Sequence, residues 1–475
     1  MPFKKVAVFL SLVVLSARIC TAQQFAPRDL QNDLAFIKRQ VFTVQANPFT
    51  ELTRKQYEKV FDAARAKLTD SMTAAEFYRL VKPLVSWTSD EHAGITAPDS
   101  IAVFDENALL LPFAVSEQGN AYVIDTLLAA ANGIAQGAPI KKINGTGIND
   151  VLQQCAGFTV GFPAQRRHNA EKYLGYLYGM ANPGAGSYTI TLQDERSITV
   201  PGVPLAAWQR YVQSIMAAPQ NCPQKISYQK AGNTGYINAC SFLTRSDEEY
   251  AAIGRTIDSI YNRAAADGVE NLIIDVSRNS GGNSAVGDLL IAGFYDQPYR
   301  TYQCNWKRSD EYLATMKGWG MRDDRYERLK PGAILHFDSD TIRPAAGKRR
   351  FKGKVYVLIG AGTFSSAMMF ATIIKDNKIA PLIGQTPDGH PSHFGEMYYT
   401  TVPHTRLGLR LGVKEWIRPA GKTGENELTP DIPLALPAYA GTSPAALNNR
   451  VQAIMLAVHA YTGAAAAVNP ATPAP

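Results

Sequence analysis

Cysteine is scarce in this chain: 5 residues in 475, too few for a disulfide-stapled scaffold. Charge is sparse as well. Lys, Arg, Asp and Glu make up 19% of the residues, and the formal net charge is +7. Three of the positive charges, Lys4, Lys5 and Arg18, fall in the first 22 residues, where no acid offsets them, leaving +4 on the remainder. So mild a balance offers no basic stripe for nucleic acid, and no such partner is expected. Beyond the N-terminus no apolar run approaches the roughly 20 residues of a spanning helix, so stable membrane insertion is not expected either. Neither the Walker spacing nor a full dinucleotide fingerprint occurs, which removes the common phosphate-cradling loops. No internal repeat is found. What is there is 46% hydrophobic residues in a length that suits two to four domains of roughly 100–200 residues each.

Lys4 and Lys5 precede the apolar run Val6 to Ala17, and small residues follow to Ala22. That order of basic, apolar and small is a secretory signal, with cleavage expected between Ala22 and Gln23 and a periplasmic or extracellular destination. Export would leave Cys155, Cys222, Cys240 and Cys304 in an oxidising compartment. Three pairings are open to them, and so are four free buried thiols.

From Pro27 to Val85 apolar residues recur at helical spacing, as in Leu34, Ile37 and Val41, then Tyr57, Phe61 and Ala64. Asn47-Pro48 breaks the first pair of helices, and Thr73 with Glu76 has capping-box spacing. From Ile101 to Pro204 short β-type runs take over: Leu109–Phe113, Ala121–Ile124, Ile140–Ile143 and Tyr188–Leu192. Asn144-Gly145-Thr146 is a tight turn that also matches a glycosylation sequon. After Gly235 strands and helices alternate through Asn271–Val276, Val355–Ile359, Ser366–Lys375 and Ala380–Ile383, which argues a largely parallel sheet. The tail from Gly463 is rich in Ala and Pro and is expected to be disordered.

Two stretches are suited to chemistry. In Lys354–Ala367 a buried strand runs through Gly360 and Gly362 into Thr363, Ser365 and Ser366 at a helix start, the edge where open α/β sheets place their sites. A hydroxyl there sits beside backbone N–H groups at the positive helix end, although Ser is equally the ordinary helix N-cap. In Leu272–Ser284 the pair Gly281-Gly282 follows a strand and can aim amides at a ligand oxygen. His390 and His393, with Glu396 near, invite a metal reading, but the loop with Pro391 lacks the helical i, i+4 placement, and no metal or cofactor is expected. The basic run Lys348–Lys354 reads as a solvated lead-in to the strand.

Taken in order, these stretches resemble the tail-specific, or C-terminal-processing, serine peptidase family, in its tricorn-type branch that uses a histidine. The resemblance runs from about residue 28 to 435. It implies an α/β catalytic domain of β-α-β layers, as in the ClpP and crotonase folds, with a helical N-terminal part and a small β-rich module of the PDZ type around Ala130–Leu152. The expected boundaries are a signal peptide at 1–22, helices at 23–95, the module at 96–205, the catalytic domain at 206–462 and the tail at 463–475. It further implies an endopeptidase acting on polypeptides, with nucleophile Ser365 (Ser366 one step away), oxyanion amides from Gly281, Gly282 and Ser366, and base His92. The acid falls on Glu425, with Glu427 almost as close. The lysine base of the bacterial branch has no counterpart, because 25 residues beyond Ser365 stands His390. His390 and His393 are therefore alternative bases, and a catalytically inactive peptide-binding homologue is the alternative reading. Pro391 biases His390 toward an extended loop, which favours His92. Oligomeric state is left open.

Overall fold

The computed structural model describes residues 23–129, 133–220, 224–344, 351–421, 427–435 and 443–468. The proposed signal segment, Cys222, the run Lys348–Arg350 and Glu425 lie outside them.

The N-terminal helices form as their periodicity predicts, at Pro27–Val44, Arg54–Arg65 and Ala74–Val81. Thr73 and Glu76 make the full reciprocal cap, each side chain accepting from the other's backbone N–H. A 3-10 turn, Lys82–Thr88, then delivers the chain to Asp90-Glu91-His92.

The segment 96–205 holds an antiparallel sheet in the order Ser197–Pro201, Ser187–Leu192, Pro139–Ile143, Ala121–Leu127, Phe113–Gln118. The expected strand Leu109–Phe113 is split at Leu111-Pro112, since proline cannot donate to a ladder. Asn144 and Gly145 both take positive φ, 48° and 81°, as the tight turn requires. The Asn144 side chain is engaged with Thr189 N and Tyr178 OH. Three helices that the β-type reading missed, Ile148–Ala156, Pro163–Lys172 and Leu174–Ala181, pack on this sheet. The middle one carries Gln165-Arg166-Arg167-His168-Asn169 and little apolar periodicity of its own, so tertiary contacts specify it.

The six-stranded sheet of the segment expected to be catalytic runs Ile226–Ala231, Thr234–Ala239, Asn271–Asp275, Lys354–Ile359, Leu382–Gly384, Ile432–Pro433, parallel throughout except for its first pair. Alternate residues serve opposite faces. Leu272, Ile274, Val357 and Ile359 pack under the helices Asp247–Ala266, Ala285–Ala292 and Ser366–Asp376. Ile273, Tyr356 and Leu358 face Leu447, Val451 and Ile454 of the C-terminal helix. That helix, Pro444–Val468, continues past Gly463, so the disordered tail expected from that point does not begin there. The run Ala464–Ala467 has no polar–apolar alternation, but alanine is the best of the helix formers.

A second large sheet outside the segment 96–205 was not anticipated. Gly408–Ile417 is its centre, flanked by His393–Thr401 on one side and by Gln303–Lys307 and Gly94–Thr96 on the other. Its apolar residues share one continuous core with the N-terminal helices and the module. Cys155 and Cys304 are free thiols buried in that core, and burial pushes both up to about 12. Cys240 is disulfide-bonded. The four cysteines are therefore neither two disulfides nor four thiols.

Candidate active site

The turn from the strand Lys354–Ile359 into the helix Ser366–Asp376 is pinned on both sides. Thr363 Oγ1 donates to Val276 O (2.9 Å) and accepts from Gly360 N (3.1 Å), and Phe364 N donates to Asn279 O (3.0 Å). These bonds hold Ser365 at φ 52°, ψ −122°, a strained conformation for a residue with a side chain. Ser365 occupies the N-cap position, yet its side chain makes no capping bond. The helix-cap explanation for this hydroxyl therefore fails. Ser366 is different: its Oγ donates to Gly282 O at 2.7 Å and is committed.

Gly281-Gly282 lies directly against this turn. A Cβ at Gly281 would stand 2.8 Å from Ser365 Cβ and 2.9 Å from Ser366 N, and its φ of 100° is one that only glycine adopts without strain. The Gly281 amide, however, donates to Asn279 Oδ1 (2.8 Å). That removes it as a ready oxyanion donor and corrects the expectation. The amides of Gly282 and Ser366 have no acceptor among the described residues. Asn279 was overlooked in the sequence. It ties the loop together, with Nδ2 on Ala239 O (2.8 Å), Oδ1 on Gly281 and its carbonyl on Phe364. The signal was an Asn two residues before a glycine, the pattern of an Asx turn.

His92 arrives from the other end of the chain. Its ring packs on Phe364, the neighbour of Ser365, with centroids 4.9 Å apart. Burial, with help from the Arg410 charge, pushes its pKa down to about 4, while a weaker interaction with the Phe394 backbone opposes this. Its Nδ1 is buried with no well-formed hydrogen bond and lies 4.0 Å from Asp90 Oδ1. His393 is 6.3 Å away, ring to ring, and is fully enclosed. Burial and the nearby His92 push it down to about 4 as well. His390 stacks flat on Phe162 at 3.5 Å, at the start of a module helix, and its N–H donates to Glu91 (2.9 Å). Burial raises Glu91 to about 8, so it stays protonated at neutral pH. Glu427 is exposed. Glu396 belongs to Tyr312 and Lys414, and no group of three or more metal-ligating side chains occurs among the described residues. The module is fastened beside this site by Arg166, whose guanidinium pairs with Glu51 (2.6 and 2.7 Å) and also reaches Ser86 O.

Residues 233–434 match the family model of peptidase family S41. The chain carries an S41 peptidase domain. It is a serine-type peptidase. The matched segment takes in five strands of the six-stranded sheet, all but Ile226–Ala231, with the Gly281 loop and the Ser365 turn, whereas His92 lies outside it. Likeness of fold extends further: mature CPAF superposes with a TM-score of 0.57 at 16% identity, over 92% of this chain and 98% of that one. Mature CPAF complexed with lactacystin gives the same TM-score and identity, over 92% and 99%. The photosystem II D1 C-terminal processing protease is more distant, at 14% identity and TM-score 0.41 over 86% and 95%. Among curated proteins no sequence matches the chain.

Proposed function

We propose that this S41 peptidase is an exported endopeptidase in which Ser365 Oγ attacks a peptide carbonyl. His92 takes the hydroxyl proton and returns it to the leaving amine, and the amides of Gly282 and Ser366 receive the oxyanion. The observation that carries this reading is the Ser365 turn: a strained, uncapped hydroxyl, a buried neutral imidazole packed on the adjacent Phe364, and free amides alongside. Export rests on the N-terminal pattern, and N-terminal sequencing of the secreted protein should begin at Gln23. The segment 96–205 is proposed to hold the polypeptide by strand addition, a reading supported by its antiparallel sheet and by its docking on the His390 loop.

A fluorophosphonate probe tests the centre of the proposal. The wild type should label covalently, and Ser365→Ala should not, with an unchanged melting temperature. Absence of labelling in folded wild type would favour a peptide-binding homologue without catalysis. The inert Ser365→Ala protein should then bind long unfolded chains more tightly than short peptides, and equal affinities would remove the module from substrate capture.

A further inference from the structure

We infer that Asp90 is the positioning residue for the His92 imidazole, its carboxylate fixing the ring through Nδ1. This rests on the Ser365–His92 reading above. Asp90 is 1% exposed. Its Oδ1 accepts from His92 N at 2.8 Å, and its Oδ2 accepts from Gly412 N at 2.8 Å and from Gln45 Nε2 at 3.2 Å. Every one of these partners is an N–H donor, the pattern of an ionised carboxylate, which can only accept. Burial raises its pKa, and the amides of Gly412, His92 and Ala93 oppose that rise.

The carboxylate is thus anchored from the first helix's end and from the central strand of the second sheet. Its Oδ1 lies 4.0 Å from an Nδ1 that has no well-formed bond of its own. That gap is longer than a hydrogen bond, and the His92 ring must turn to close it; such bonds are commonly long before substrate binds. Holding Nδ1–H leaves Nε2 as the nitrogen for the serine proton, and the negative charge balances the imidazolium that forms. The other charged groups nearby do not supply that balance. Arg410 donates to His92 O and carries the same sign as imidazolium, Lys82 sits against Arg410, Glu91 is held protonated, and His393 is neutral. Asp388 faces Glu91.

The test is steady-state kinetics on the full chain, with melting curves as the control for folding. Asp90→Asn should lower kcat about 10³-fold or more with little change in KM, and should shift the acid limb of kcat/KM. Asp70→Asn, a change at an exposed carboxylate outside the site, should stay within about threefold of wild type. A purely structural Asp90 would instead lower the melting temperature and raise KM while sparing kcat. If His92→Ala stays active, the base assignment falls and Asp90 with it. If His92→Ala is inactive while Asp90→Asn keeps most of its kcat, Asp90 alone is overturned. Should Asp90→Asn fail to fold, proton NMR of the wild type decides. A downfield Nδ1–H resonance that is missing in His92→Ala supports the carboxylate contact, and no such resonance refutes it.

Discussion

His92→Ala should lower kcat by about 10³-fold or more while leaving KM nearly unchanged, because general-base assistance acts in the transition state and not in binding. His390→Ala and His393→Ala should be milder. His390 is occupied as a stacking partner of Phe162, and His393 is enclosed between Tyr302 and His92 with its Nδ1 near Pro391 O. The pH profile gives a second signature. A free histidine loses its base function below about 6.5, but burial holds His92 near 4, so the acid limb of kcat/KM should fall near 4. Stability moves in the same window. The unfolded imidazole takes a proton near 6.5 and the folded one only near 4, so the stability due to the neutral form is present above 6.5 and lost as pH falls toward 4. Activity loss between those values in a still-folded protein would contradict the assignment. So would a His390→Ala variant that is inactive beside an active His92→Ala.

The largest loss of stability is expected at Arg450→Ala. Arg450 enters from the C-terminal helix and is 7% exposed. Its Nη2 meets Asp275 Oδ2 at 3.0 Å and Ser277 Oγ at 3.2 Å, and its Nε meets Tyr236 OH at 3.1 Å. Tyr236 OH also donates to Asp275. Truncating the arginine strands a carboxylate that is 2% exposed, a change that costs about 3–5 kcal/mol for buried pairs. Urea denaturation followed by circular dichroism measures it. The pair replacement Arg450→Met with Asp275→Leu should recover much of the loss, since the cost lies in the orphaned charge. A single-variant loss under about 1 kcal/mol would show that water reaches the carboxylate.

The catalytic sheet was legible because its strands are buried on both faces and read as unbroken apolar runs, such as Leu272-Ile273-Ile274 and Val355–Ile359. The helix Ser366–Asp376 was read to within one residue of its end, because the glycine-and-hydroxyl turn marks where it opens. The second sheet was not legible. Its ladder joins Gly94–Thr96 to Gly408–Arg410, a pairing across more than three hundred residues that no local pattern encodes. The site divides in the same way. The strand–glycine–helix grammar marked the turn that holds Ser365, and the family resemblance singled out Ser365 and His92 as candidates, whereas the commitment of the Gly281 amide to Asn279 depends on side-chain rotamers. The surroundings of Asp90 depend on Gln45 and Gly412, which approach from distant parts of the chain.

The short ladder between Gly94–Thr96 and the strand Gly408–Ile417 has a consequence for the timing of synthesis. The segment carrying His92 is made early and the one carrying Ser365 late, and the strand that fastens them emerges later still. A nascent chain stopped between about residues 370 and 410 holds both halves of the proposed machinery without the clasp between them. The proposed machinery is therefore complete only when the last large strand has been laid down.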